Sequence, residues 1–246
     1  MPQSATAKKS GRGWLVALII LALLIGTFVL FAAFYTDWLW FDSVAKTQVY
    51  RTSLLTRAGL FVVFGVVMGV VIGANLWIAY RSRPVYRGVT PEQASLERYR
   101  QAIEPFRRPA AIIIAIVLGL LAGISAAAEW GTFLLWRNAT PFGVTDPQFG
   151  MDVSFYTFTM PFIRFLTGFG FAMLIVAIIA SIVVHYLYGG FRLQPAGDRA
   201  SAAAQIHLSI LVALLLLLKA VSYWLDRFDL VTKSSNLVNG LSLIHI

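Results

Sequence analysis

The stretch AAIIIAIVLGLLAGISAAA, residues 110–128, holds no charged side chain and is as long as a helix that crosses a bilayer. A hydrocarbon core about 30 Å thick takes roughly 20 residues at about 1.5 Å each. Four further runs of this kind stand at about residues 14–35, 58–80, 162–186 and 206–225. Across all 246 residues, 59% are hydrophobic, more than a globular core needs. The expected fold is therefore all-α: a polytopic transmembrane helical bundle of five spans.

Between the runs the chain is basic, and its formal net charge is +9. The charge follows the connectors rather than one soluble face, so it speaks for topology and lipid contact and not for a nucleic-acid partner. The connector after the second run holds Arg81, Arg83, Arg87, Arg98, Arg100, Arg107 and Arg108, whereas the one after the third holds Arg137 alone. Basic residues near span ends stay in the cytoplasm. The expectation is a cytoplasmic N-terminus, with the segments after the first and third runs facing outward. Lys46, Arg51 and Arg57 in the first outward segment are a mild exception to that rule.

Within the basic connector, Thr90-Pro91-Glu92-Gln93 has the form of a helix start. Leu96, Tyr99, Ile103 and Phe106 then recur at helical spacing, which predicts one amphipathic interfacial helix whose arginines meet anionic head groups at the inner surface. At the N-terminus, residues 1–13 are small, polar and basic. They resemble the start of a signal peptide, but the following apolar run is too long and lacks a small-residue cleavage site, so an uncleaved first span is expected.

Gly65, Gly69 and Gly73 share one helix stripe and predict close helix packing, including helix–helix self-association. Asn75 sits where it can hydrogen-bond across such a contact. Intramembrane charge marks candidate pathway or ion-pair residues: Lys219, Asp226, Arg164 and Glu129. Asp146, Asp152 and Ser154 are weak candidates for a metal site, without the ligand spacing of an EF-hand. A turn anchored in the membrane by Phe149, Phe155, Tyr156, Phe158 and Phe162 is the plainer reading of that segment. His185, His207 and His245 are scattered and show no zinc spacing. Cysteine is absent, which removes thiol nucleophiles, thiolate metal sites and disulfides together. No phosphate-binding loop, nucleophile elbow or zinc-protease motif occurs, so neither a catalytic residue nor a cofactor is expected.

Three separated stretches carry a family resemblance: WLWFDSV at residues 38–44, DPQFG with DVSFY across residues 146–156, and LDRF at residues 225–228. In that order they resemble uncharacterised protein family 0182, multi-pass membrane proteins found notably in actinobacteria. The resemblance implies a bacterial cell-membrane protein without an assigned activity. Members are much longer, which implies an amino-terminal fragment whose residues 226–240 begin an outward-facing region. Residues 241–246, LSLIHI, resemble the translation of a transposon adapter used in sequencing libraries, so the natural frame is expected to have run into adapter near Gly240. The first function expected is an anchor that assembles with a large extracytoplasmic region. A transporter or channel is the second, and an envelope enzyme with its active site in the longer region is the third.

Overall fold

A computed structural model describes residues 12–84, 97, 99–191 and 200–232, and the described residues are overwhelmingly helical. The helix start at residues 90–93 and the candidates Arg87, Arg98 and His245 lie outside them. Six helices are described: α1 (Arg12–Ser43), α2 (Thr47–Arg81), α3 (Arg107–Ala128), α4 (Trp130–Arg137), α5 (Met160–Leu187) and α6 (Ala202–Thr232). Five helical segments are long and apolar enough to cross a membrane, the third and fourth taking in the turns before α3 and α5. Helices suit that role because every main-chain N–H and C=O within them is satisfied without water.

The chain divides into two compact units, residues 1–55 and 56–246. In the first, α1 runs past the apolar boundary at Tyr35, and only residues 44–46 interrupt the helix before α2. The segment after the first run is thus helical except for one turn, in which Ala45 takes a left-handed φ of 53°. Rings hold that turn: Phe41 stacks on Tyr50 at 5.4 Å, and the Tyr50 hydroxyl donates to the Phe34 carbonyl at 3.2 Å. Among the described residues of α1, leucine and phenylalanine side chains such as Leu23 and Phe28 are exposed, as a lipid-facing helix requires.

In the second unit, Met68, Ile72 and Leu76 of α2, Ala122 of α3, Ala177 of α5 and Leu211 of α6 form the buried core. Small residues set the α2–α3 crossing. A Cβ built on Gly119 would stand 2.7 Å from the Gly65 carbonyl oxygen, and one on Gly123 2.7 Å from that of Phe61. Gly69 approaches the Ala115 carbonyl, whereas a Cβ on Gly73 would meet only the Ala115 methyl at 3.8 Å. The α2 stripe is therefore answered by a second one on α3, the arrangement that brings two backbones together. Helices α5 and α6 run antiparallel, since Arg164 near the start of one meets Asp226 near the end of the other.

Candidate functional site

Three polar clusters lie along the second unit, and the sequence shows least of the first. His185 is on the last turn of α5 and His207 on the second turn of α6, so the antiparallel pairing of these helices sets them side by side. Both are buried, with His185 Nε2 3.2 Å from His207 Nδ1. Asn75 of α2 completes the row, its Oδ1 3.1 Å from His207 Nε2 and its Nδ2 donating to the Val71 carbonyl at 2.8 Å. Reading two of the three histidines as scattered is corrected by this contact.

The protons in this row can be deduced. A carbonyl only accepts, so the nitrogen of the Asn75 amide must face Val71, and its oxygen must face His207. Neutral His207 then donates from Nε2 and accepts at Nδ1, which obliges His185 to donate from Nε2. Hydrogen bonds thus run in one direction, from His185 through His207 and Asn75 to the Val71 main chain. Among the described residues His185 Nδ1, left with a bare lone pair, has no partner, nor has the buried Ser181 hydroxyl one turn earlier in α5.

The last turn of α5 is also closed from outside. Gly189 (φ 74°) ends the helix, and Gly190 N–H donates to the His185 carbonyl at 2.7 Å. Arg100, itself buried, donates from Nη2 to the Leu187 carbonyl at 2.9 Å and also pairs with Glu97. Beside it Glu104 is a hub, accepting from Tyr188 at 3.0 Å, from Tyr80 at 3.1 Å and from Arg107. Burial first, and the Glu104 carboxylate second, push the Tyr188 hydroxyl above its usual range.

The third cluster stands at the opposite end of α5. Arg164 Nη2 is 2.7 Å from Asp226 Oδ1 and 2.6 Å from Asp229 Oδ2. The structure therefore unites two of the four charged candidates. Lys219 is exposed, with Nζ 4.3 Å from the centre of the Tyr223 ring, and Glu129 accepts from the Thr132 hydroxyl at 2.8 Å. Neither makes an ion pair with Arg164 or Asp226 among the described residues.

Adjoining the triad is the loop before α5. Asp146 accepts from the N–H groups of Gln148 (3.2 Å) and Phe149 (2.7 Å) and from the Tyr156 hydroxyl (3.1 Å). Asp152 accepts from the N–H groups of Phe142 (3.0 Å), Gly143 (2.9 Å) and Ser154 (2.8 Å). Burial raises the Asp146 carboxyl, but those donors outweigh it and hold it below its ordinary range. Asp152, led by the Ser154 and Phe142 N–H groups, is lowered to about 2. Each carboxylate organises its own turn, and among the described residues no group of three His, Cys, Asp or Glu side chains converges for a metal.

The rings of this loop pack on protein. Phe149 and Phe155 stand 5.1 and 5.2 Å from Phe228, and Phe162 stacks on Trp136 at 4.5 Å. Phe158 meets Phe142 at 5.4 Å. Two of the three stretches that carry the family resemblance, the DPQFG–DVSFY segment and LDRF, thus form one surface. Phe228 is buried at its centre.

A family model described as "Uncharacterised protein family (UPF0182)" matches residues 14–246. A UPF0182 protein of Streptomyces coelicolor is 49% identical over 225 residues, covering 92% of this chain and 22% of its own length. Those of Nocardioides sp. and Thermobifida fusca are 43% and 44% identical, each over 98% of this chain and 24% of the relative. The chain spans less than a quarter of the length of these relatives. No solved structure matches it.

Proposed function

We propose, from the premise that this chain belongs to the UPF0182 family, that its five apolar helices cross the bacterial cell membrane and anchor the protein there. In this reading they assemble with an extracytoplasmic region that makes up part of the remaining length of full-length members. The observation that carries it is the packing of the Asp146–Tyr156 segment onto Phe228. A loop whose carboxylates are held by its own N–H groups and whose rings are packed on a helix end is a preformed platform, suited to docking without an ordering penalty.

The buried histidine row favours a second reading, a transporter or channel, because intramembrane ionisable groups often mark proton paths. Its polarity argues the other way. A relay must release at its far end the proton it takes up, and this one ends on an amide and a main-chain carbonyl, neither of which gives up a proton near neutral pH. The row holds three helices together without offering an exit. An envelope enzyme whose active site lies in the remaining length is compatible with the same anchor.

A photo-crosslinking residue at Val144 of the full-length protein tests the platform. The expected product joins Val144 to a peptide of the same protein outside the five helices, and crosslinks to lipid alone overturn the anchor-and-platform reading. Ion flux through proteoliposomes of the full-length protein that is lost on Lys219→Ala or His207→Leu favours the transporter instead.

A further inference from the structure

An apolar groove of about 1300 Å³ runs between α2, α3 and α5, with Val70, Trp77, Ile112, Ile116, Ile179 and Val183 among its walls. At one end the lining changes to Tyr80, Arg107, Arg108 and Tyr188. Tyr188 is also a wall of a separate cavity of about 380 Å³, whose other sides include Arg83, Glu97, Arg100 and Glu104. A hydrophobic slot and a charged basin therefore share one tyrosine. Along α2 the lining runs from Tyr80 to Phe61, a rise of about 28 Å. That is most of a roughly 30 Å hydrocarbon core, so the slot that starts beside the arginines is deeper than one leaflet and takes an acyl chain at full length.

Among the described residues the charges at this end do not cancel. Arg83 and Arg107 share Glu104, and Arg100 pairs with Glu97. Arg108 is exposed and makes no ion pair among the described residues. A neutral apolar partner can fill the slot but leaves this positive excess unanswered. We infer that the slot and its arginines form a binding site for one anionic phospholipid, with an acyl chain between α2, α3 and α5 and the phosphate on Arg107 and Arg108. The inference rests on the helices crossing a bilayer and is independent of any docked region.

Phosphatidylglycerol is the probe. The purified chain in mixed phosphatidylcholine–phosphatidylglycerol nanodiscs, extracted into detergent and read by native mass spectrometry, is expected to keep one phosphatidylglycerol through washing that strips phosphatidylcholine. Arg108→Gln removes charge at the mouth of the slot and leaves its apolar walls intact, and Val183→Trp fills the slot without touching charge. Each is expected to weaken retention about tenfold while leaving the helical circular dichroism unchanged. Equal retention of both lipids means annular contact only and overturns the site. So does competition by inorganic phosphate as strong as that of the lipid, or retention that survives slot filling. Should Val183→Trp fail to fold, Ile179→Phe fills the same slot from an exposed position on the same helix.

Discussion

His185 Nε2 donates to His207 Nδ1 across 3.2 Å, so the C-terminal end of α5 and the N-terminal end of α6 are joined by a hydrogen bond whose direction is fixed from Asn75 onward. Removing the middle member strands a donor on His185 and an acceptor on Asn75, whereas removing His185 strands only an acceptor on His207. His207→Leu is therefore expected to cost more stability than His185→Leu. The difference should be about 0.5–2 kcal/mol, the range of interhelical hydrogen bonds in membranes. Unfolding of the two variants in detergent measures it; equal losses would show that the row is not directional.

The glycines make a graded prediction. Ala at position 119 or 123 would place a methyl 2.7 Å from a main-chain oxygen, and neither helix can yield without opening the crossing. Gly119→Ala and Gly123→Ala are each expected to destabilise by about 1–3 kcal/mol. Gly73→Ala, which meets only a methyl group at 3.8 Å, should be neutral or slightly stabilising through helix propensity. A thermal series across these variants in one detergent is sufficient, and a harmful Gly73→Ala would contradict the crossing described.

Arg164 bridges two carboxylates that lie three residues apart on one face of α6. Its side chain and those of Asp226 and Asp229 are all partly exposed, which limits each pair to about 0.2–1 kcal/mol. A double-mutant cycle of Arg164→Gln and Asp229→Asn is expected to give a favourable coupling inside that range. Arg164→Gln alone should be worse than the double variant, because it leaves like charges facing each other. The reverse order would remove the ion triad as an organising feature of this end.

How far the sequence reached depends on what each feature needs. The apolar runs announce their helices because lipid accepts no other unclosed backbone, and the Gly65–Gly69–Gly73 stripe shows itself by spacing within one helix. The His185–His207–Asn75 row needs residues separated by 22 and 132 positions to meet. Its one legible signal was depth: Asn75 and His185 stand near the C-terminal ends of their spans and His207 near the N-terminal end of its own, which alternating orientation would bring to a common level. The exposed side taken by Lys219 was not legible, since its place in an apolar run says nothing about which side of the helix it takes. Aromatic residues around Phe149 suggested lipid anchors because a ring that packs on protein and one that packs on lipid look alike in a sequence.

Acid should loosen the loop before α5. The Asp152 carboxyl falls from an ordinary 3.8 to about 2 in the folded loop, and Asp146 is lowered in the same direction. A depressed carboxyl contributes stability that is complete above its unfolded value and is lost as the folded form takes up a proton. The protection of the Phe142, Gly143 and Ser154 N–H groups, corrected for intrinsic exchange rates, is therefore expected to hold at pH 5 and to collapse as pH falls from about 4 through 2. Asp152→Asn should show loosened amides already at neutral pH, and unchanged protection in that variant would remove the carboxylate from its organising role.

Orientation is open to direct chemical test because the chain contains no cysteine, so any single introduced thiol reports alone. The arginine-rich connector should be retained on the cytoplasmic side, since moving that many cations outward against the membrane potential is opposed at each of them. Val144 is the better reporter for the opposite side. It is 61% exposed, whereas the adjacent Gly143 holds a φ of 73° that a cysteine would strain. In intact cells a membrane-impermeant maleimide is expected to label Val144→Cys and to spare Arg87→Cys until the membrane is opened. The opposite pattern would invert the protein and place the loop that closes around Phe228 in the cytoplasm, where an extracytoplasmic region has no access to it.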